Sequence, residues 1–200
     1  MRIDFSNYLD KDFRLLGAVI PPTADQLAEL RSTLNCHFPQ EYFDYLAEHG
    51  ATYLQVKEEV WPKPKQYEVR PAWEMMPAII VLGIPSAEEE ENFPDMLNLE
   101  KITTEFRPMF DSQLTPFFKW ESDTIITCFD QEGKIFHLHY GDPANPEPVT
   151  MTFNEFMESQ LKKLVENKNR YKEKGTESKT SDNNTPKQGG KWWQKLFGSN

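Results

Sequence analysis

Apolar residues spaced like those on one face of a helix occur near the start of the chain. Leu27, Leu30 and Leu34 share a face of the segment 22–34, and Thr23 is a candidate N-cap. Only a short link separates this segment from the next helical one. The pattern therefore predicts an N-terminal helical hairpin.

The second predicted helix covers residues 39–50 and has signals at both ends. Pro39 suits the first helical position, Glu41 places a carboxylate at the positive end of the helix dipole, and Gly50 suits the left-handed residue that ends a helix. We expect the helix to pack the hairpin onto a sheet and to be a scaffold rather than a site. Its apolar face is formed by Tyr42, Phe43, Tyr45 and Leu46.

A third helix is predicted from Thr152 to about Tyr171. Thr152 and Glu155 have the spacing of a capping box, in which each side chain binds the other residue's backbone N–H. The apolar stripe that follows consists of Phe153, Phe156, Met157, Leu161 and Leu164.

Four short apolar runs predict strands, at residues 51–60, 78–84, 124–129 and 134–140. The last two form a hairpin whose turn ends at Gly133, which is expected to be left-handed. Helices, then strands, then a helix indicate an α+β fold with an antiparallel or mixed sheet.

One proline-rich segment, residues 61–73, is predicted to be an extended loop or a sheet edge, and another, residues 141–148, a loop. Residues 61–73 contain Pro62, Pro64 and Pro71, and residues 141–148 contain three more prolines. Because proline has no backbone N–H, it cannot join a central strand ladder.

The end of the chain has a different composition. Residues 172–190 are rich in Lys, Ser, Thr, Asn and Gly, which predicts a disordered linker. The expected organisation is one domain over residues 1–171, this linker, and an amphipathic aromatic-basic tail over residues 191–200.

The net charge of −10 conceals an asymmetry. Residues 1–160 carry 12 Lys and Arg against 28 Asp and Glu, a net charge of −16, whereas residues 161–200 carry 10 against 4, a net charge of +6. An acidic body repels nucleic acid, because phosphate contacts require cations. It attracts basic proteins and speeds the encounter with them. We therefore expect a protein partner and no nucleic acid.

The compartment is inferred from what the sequence lacks. No apolar run approaches about 18 residues, and the N-terminus has no apolar core of a signal peptide. Cys36 and Cys128 are far apart and are typical of reduced core thiols. These features predict a cytoplasmic protein.

No motif predicts catalysis, a metal or another cofactor. Two cysteines and three histidines could be imagined as a zinc site, but their spacing does not support one. Cys128 with His137 would be an unusual nucleophile and base, because Cys128 lies in an apolar strand. Asp123 and Asp130 are expected to serve turns. The chain is therefore predicted not to be an enzyme.

Five segments, in this order, resemble the SUKH superfamily, the domain shared with fungal Smi/Knr cell-wall regulators. The resemblance spans roughly residues 20–170. Its motifs are Phe38-Pro39-Gln40-Glu41-Tyr42 with His49-Gly50, the loop 58–73, Val81-Leu82-Gly83-Ile84, the hairpin 125–140, and Thr152-Phe153-Asn154-Glu155-Phe156-Met157.

The resemblance implies an α+β domain with no known catalytic site. Many bacterial members resemble immunity proteins, which bind and neutralise polymorphic toxins, often nucleases; fungal relatives resemble signalling hubs. The function expected from it is an immunity protein that neutralises a cognate toxin by stoichiometric binding. The alternative is a regulatory or scaffold protein.

Two segments are candidate partner-binding surfaces. Trp61, Tyr67 and Trp73 lie in the proline-stiffened loop, where they either cap the core or form a binding surface. An acidic run is either a solvated face or, in an immunity protein, a mimic of nucleic-acid phosphates that plugs a basic groove. That run consists of Glu88, Glu89, Glu90 and Glu91.

The tail presents four large apolar side chains on one helical face between two lysines. It could dock on a partner, fold back onto the body or make weak peripheral contact with a membrane. The basic residues from Lys162 to Lys174 would add attraction for anionic lipid. The four side chains are Trp192, Trp193, Leu196 and Phe197.

Overall fold

The computed structural model describes residues 3–17, 22–60, 77–85, 93–110, 112–121 and 123–182, with side chains as far as Glu173. These residues form a mixed α+β fold, as predicted. No described helix is long and apolar enough to cross a bilayer.

Among the described residues, seven strands form one antiparallel sheet in which each strand pairs with its neighbours in the chain. The first and last strands are therefore its edges. The strands are β1 (Phe13–Gly17), β2 (Thr52–Val56), β3 (Ala78–Val81), β4 (Thr115–Trp120), β5 (Ile125–Phe129), β6 (Ile135–His139) and β7 (Asp142–Val149).

Four helices accompany the sheet: α1 (Ala24–Leu34), α2 (Gln40–His49), α3 (Leu99–Phe110) and α4 (Phe153–Asp182). The predicted N-terminal caps of α1 and α4 are confirmed, whereas Pro39 lies at the N-cap of α2 and not at its first helical position. Thr23 and Gln26 form a capping box on α1. On α4 the N–H of Thr152 donates to Glu155 Oε2 (2.9 Å), and the N–H of Glu155 donates to Thr152 Oγ1 (3.3 Å).

Helices cover both faces of the sheet. Phe129 of β5 contacts Tyr42 of α2 and Phe153 of α4, whereas its neighbour Cys128 belongs to a cluster with Phe106 of α3. Because successive strand residues point to opposite faces, α2 and α4 lie on one face and α3 on the other.

Two predictions for the C-terminal half are wrong. Residues 141–148 are not a loop: they form most of β7, an edge strand that pairs with β6. Helix α4 does not end near Tyr171 but continues to Asp182, so the disordered linker does not begin at residue 172. Lys172 pairs with Asp12 beside β1, which holds this part of α4 against the body.

Candidate functional site

Helix α2 has one buried face that fixes it to the sheet. The ring of Tyr42 packs against Phe117, Phe129 and Phe153, with centroids 5.2 to 5.9 Å away. All four apolar residues predicted for this face are buried. This face is therefore a scaffold, as expected.

The opposite face of α2 is acidic and partly open to solvent. Glu41, Asp44 and Glu48 are spaced at i, i+3 and i+7, which places them on one side of the helix. They line a cleft of about 70 Å³ together with Ile3, His49 and Asn154. We call these three carboxylates the acidic face of α2.

Contacts with two other segments fix the cleft walls. Glu41 Oε2 accepts a hydrogen bond from the backbone N–H of Asn154 (3.0 Å), which places its charge at the N-terminal end of α4. His49 Nε2 lies 3.2 Å from the carbonyl oxygen of Ile3, and its ring centroid lies 4.6 Å from that of Phe5. The acidic face is thus held by α4 and by the N-terminal segment.

Further hydrogen bonds hold two carboxylates at the cleft or beside it. Hydrogen bonds from Ser6 lower the pKa of Asp4, whose carboxylate lies near His49. Asp44 Oδ1 accepts a hydrogen bond from Gln40 Nε2 (2.9 Å), which orients the carboxylate on the helix surface. Exposed carboxylates arranged in this way can accept charge-assisted hydrogen bonds from Lys or Arg of a protein partner.

The predicted partner-binding residues all lie outside the described residues. This holds for Trp61, Tyr67 and Trp73, for the run Glu88, Glu89, Glu90 and Glu91, and for the tail residues Trp192, Trp193, Leu196 and Phe197.

The hypothetical cysteine–histidine pair is not formed. Thr127 is the register partner of His137, and Thr127 Oγ1 lies 3.1 Å from His137 Nδ1. Cys128 follows Thr127 and so points to the other face of the sheet. Burial raises the pKa of Cys128 and lowers the pKa of His137, so both groups are held in their neutral forms.

The remaining groups considered for catalysis or metal binding have structural roles. Asp123 accepts a hydrogen bond from the N–H of Ile125 (3.2 Å), and Asp130 accepts two in the β5–β6 turn (2.9 and 2.8 Å), as predicted for turn residues. Cys36 Sγ donates to the carbonyl oxygen of Asp130 (3.3 Å). Within the described ranges, no three His, Cys, Asp or Glu side chains could together hold a metal ion.

The acidic face of α2 was missed from the sequence, although a signal for it exists. In the sequence, the aromatic residues dominate the pattern of this helix, and Glu41 is accounted for by its position at the helix end. The same helical spacing that identifies the buried face also places Glu41, Asp44 and Glu48 together on the opposite side.

Comparison with known proteins supports the predicted superfamily. No curated protein was found to match the chain. The model of the SMI1 / KNR4 family (SUKH-1) matches residues 21–159, which include strands β2 to β7 and the start of α4 but not β1. Since this match spans more than half of the sequence, the chain belongs to the SMI1 / KNR4 family (SUKH-1).

Proposed function

We propose that this protein is a non-catalytic, cytoplasmic immunity protein that neutralises a basic bacterial toxin by stoichiometric binding. A SUKH-family domain is consistent with an immunity or a regulatory protein. The observation that carries the immunity function is the charge of residues 1–160, in which 28 Asp and Glu face 12 Lys and Arg. Such a field favours and accelerates association with a basic protein.

The acidic face of α2 is the contact surface that the described residues favour. Its three carboxylates lie on a helix whose other side is buried in the core. Because the helix is already ordered, little conformational entropy is lost when a partner binds. Asp44 and Glu48 are exposed, whereas Glu41 is half-buried against α4. We therefore expect Asp44 and Glu48 to meet the partner and Glu41 to orient the helix.

The absence of catalysis is part of the proposal. The thiol of Cys128 is buried on the face of the sheet opposite to His137. Asp123 and Asp130 accept backbone hydrogen bonds in turns. These residues therefore support a binding function rather than a chemical one.

The test is a pull-down with the toxin encoded by the adjacent gene, together with protection of cells that express this toxin. Asp44→Asn with Glu48→Gln is expected to weaken binding about tenfold, mainly through a slower association rate at low salt. The matched control is Glu100→Gln with Glu105→Gln on α3, across the sheet, which removes the same charge and should have little effect. Failure of the unmodified protein to bind or protect against any neighbouring toxin would exclude the immunity function.

The aromatic loop and the acidic run are proposed as further partner contacts. Alanine substitutions of Trp61, Tyr67 and Trp73, and neutralisation of Glu88 to Glu91, test them in the same binding assay. A loss of affinity without a change in melting temperature supports a contact; a loss of stability indicates that the aromatic residues cap the core.

The second candidate is a regulatory or scaffold protein localised by its tail. The net charge of +6 over residues 161–200 favours it, although Lys168 and Lys172 of α4 are already paired with Asp10 and Asp12. Co-sedimentation with anionic vesicles is compared for the full chain and a shortened chain that ends at Asp182. If neither the full nor the shortened chain sediments with the vesicles, the membrane form of this proposal is excluded.

A further inference from the structure

The last strand, β7, presents an edge that is closed to another strand. The carbonyl oxygen of Lys134 accepts a hydrogen bond from the backbone N–H of Asp130 in the β5–β6 turn, so the backbone groups of Lys134 point toward β5. Because this direction alternates along a strand, the backbone groups of the next residue, Ile135, point toward β7. Its register partner Val149 and, two residues earlier, Glu147 therefore face β6.

The residue between these two positions faces outward, and it is a proline. Pro148 lies between Val149 and Glu147, so no N–H points outward there. Pro146 and Pro143 lie in the stretch where the register of β7 shifts against β6, between Glu147 and Asp142. Since proline has no N–H, three residues of β7 cannot donate a backbone hydrogen bond to an added strand.

The other edge, β1, has no proline. The N–H of Val56 donates to Pro77 (3.2 Å), so Val56 faces β3, and the alternate residue Gln55 faces β1. Arg14 is the register partner of Gln55, and Leu16 is the partner of Tyr53. The backbone groups of Arg14 and Leu16 thus form the hydrogen bonds to β2. The N–H and C=O of Leu15, which lies between them, point away from the sheet.

Exposed apolar side chains accompany this open backbone. The side chains of Leu15 and Leu16 project to opposite faces of the sheet, and they are 55 % and 41 % exposed. Among the residues that the structure describes, no strand pairs with the outer side of β1. Lone exposed leucines are ordinary, but two adjacent ones on an unblocked edge strand offer both pairing groups and apolar contacts.

The position of β1 is well fixed. Lys168 of α4 is 4 % exposed and binds Asp10 Oδ2 at 2.6 Å, and its ammonium lies 4.8 Å from the ring centroid of Phe13. The edge is therefore held in an extended form before any partner arrives, which lowers the entropy cost of pairing.

We propose that an extended segment of a protein partner adds to β1 as an eighth strand, with two adjacent apolar residues opposite Leu15 and Leu16. A second copy of this chain is a poor occupant. Two five-residue strands pair over about 17 Å and bury a few hundred Å², well below the roughly 1,200 Å² of a stable interface. A partner that also contacts another surface supplies the missing area. The inference rests on the proposed function only in that the partner is a protein.

The test uses a substitution that acts on the outer backbone alone. Leu15→Pro removes the outward N–H and leaves the β1–β2 hydrogen bonds intact, so we expect an unchanged melting temperature and about tenfold weaker binding of the adjacent-gene toxin. The control Leu15→Thr keeps the N–H and has a strand-forming side chain, so its affinity for the toxin should fall threefold or less. Equal losses in the two variants, or none in Leu15→Pro, would overturn strand addition.

A second probe keeps the inference separate from the toxin. A library of random heptapeptides, displayed in many copies per particle so that multivalency compensates for the small area of each contact, is selected on the unmodified protein and counter-selected on Leu15→Pro. Enrichment of sequences with adjacent apolar residues supports the edge even if no toxin binds, in which case only the proposed function fails. No enrichment in this selection overturns the inference, as does a finding that a segment of the chain itself pairs with β1.

Discussion

The hydroxyl of Tyr42 donates a hydrogen bond of 2.7 Å to the carbonyl oxygen of Leu82, and both residues are buried. This bond links α2 to the chain just after β3, inside a cluster of aromatic rings. Tyr45, one turn along the helix, is also buried, yet among the described residues its hydroxyl makes no hydrogen bond of regular geometry, although the hydroxyl of Thr52 lies near it. The two tyrosines are therefore both buried but differ in whether the hydroxyl makes a hydrogen bond of regular geometry.

We expect Tyr42→Phe to lower the free energy of unfolding by about 1–2 kcal/mol, because the carbonyl of Leu82 is left without its buried donor. Tyr45→Phe removes a hydroxyl that has no hydrogen bond of regular geometry, so its effect on stability should be close to neutral. Urea denaturation of both variants measures the difference. Equal destabilisation would show that the hydrogen bond to Leu82 contributes nothing specific.

Elements with a complete local signal could be predicted from the sequence. Helix α1 has a capping box and a leucine face, and the β5–β6 hairpin ends its turn at Gly133, whose φ is +82°. In both, short-range hydrogen bonds and conformational preferences favour the same structure that tertiary packing stabilises. For α4 the local pattern predicts the cap at Thr152 but not the C-terminal end, because the ion pair of Lys172 with Asp12 joins residues far apart in sequence.

Elements that contain proline were missed or misassigned. Pro116 lies in the central strand β4 at a register shift, and Pro108 lies in the last turn of α3. In β7, Pro148 occupies an outward position and the other two prolines lie at a register shift, neither of which a local pattern reveals. A sequence shows that an N–H is absent, but only the sheet shows whether one was needed there. The acidic face of α2 was missed for a different reason, since its residues were visible but only burial distinguishes the two sides of the helix.

Two glycines provide a test of backbone strain. At Gly133 a Cβ atom would lie 2.2 Å from the carbonyl oxygen of His37, and the residue has a left-handed φ of +82°. Gly133→Ala should therefore destabilise the protein by about 2–4 kcal/mol, through the clash and the disfavoured φ together. At Gly141 a Cβ would meet no atom within 4 Å, so Gly141→Ala should change stability by less than about 0.5 kcal/mol. Thermal melts of the pair measure both effects, and similar melting temperatures would refute this account of the turn.

The two cysteines should be chemically inert in the folded protein. Burial raises the pKa of Cys36 to about 11 and that of Cys128 further, so little thiolate is present at pH 8. We expect Ellman's reagent to react with both at least about 100-fold more slowly than with glutathione, and to react fully once the chain is unfolded in urea. Rapid labelling of one thiol at pH 8 under native conditions would contradict the burial of that residue.

Lys168 joins the two parts of the chain that lie outside the family match. It belongs to α4 beyond residue 159, and it binds Asp10, which lies before residue 21. Asp12 lies 4.0 Å away and also pairs with Lys172. Partial burial opposes ionisation of Asp10, but the hydrogen bonds from Lys168 and the N–H of Asp12 prevail and lower its pKa.

Lys168→Met should lower the free energy of unfolding by about 1–3 kcal/mol at pH 7, because a buried ammonium is lost and its carboxylate partners remain. The control is Lys162→Met. The ammonium of Lys162 is 3.9 Å from Glu158 on the surface, so its removal should cost less than about 0.5 kcal/mol.

A carboxyl group whose pKa is lowered by folding stabilises the protein above its unfolded pKa, near 4, and this contribution is lost as the pH falls through the folded value. The difference in free energy of unfolding between Lys168→Met and the unmodified protein should therefore be constant above about pH 5 and shrink below pH 4. Urea denaturation at pH 7, 5 and 3 measures it, and a difference that stays constant down to pH 3 would show that Lys168 acts through packing on Phe13 rather than through its pair with Asp10.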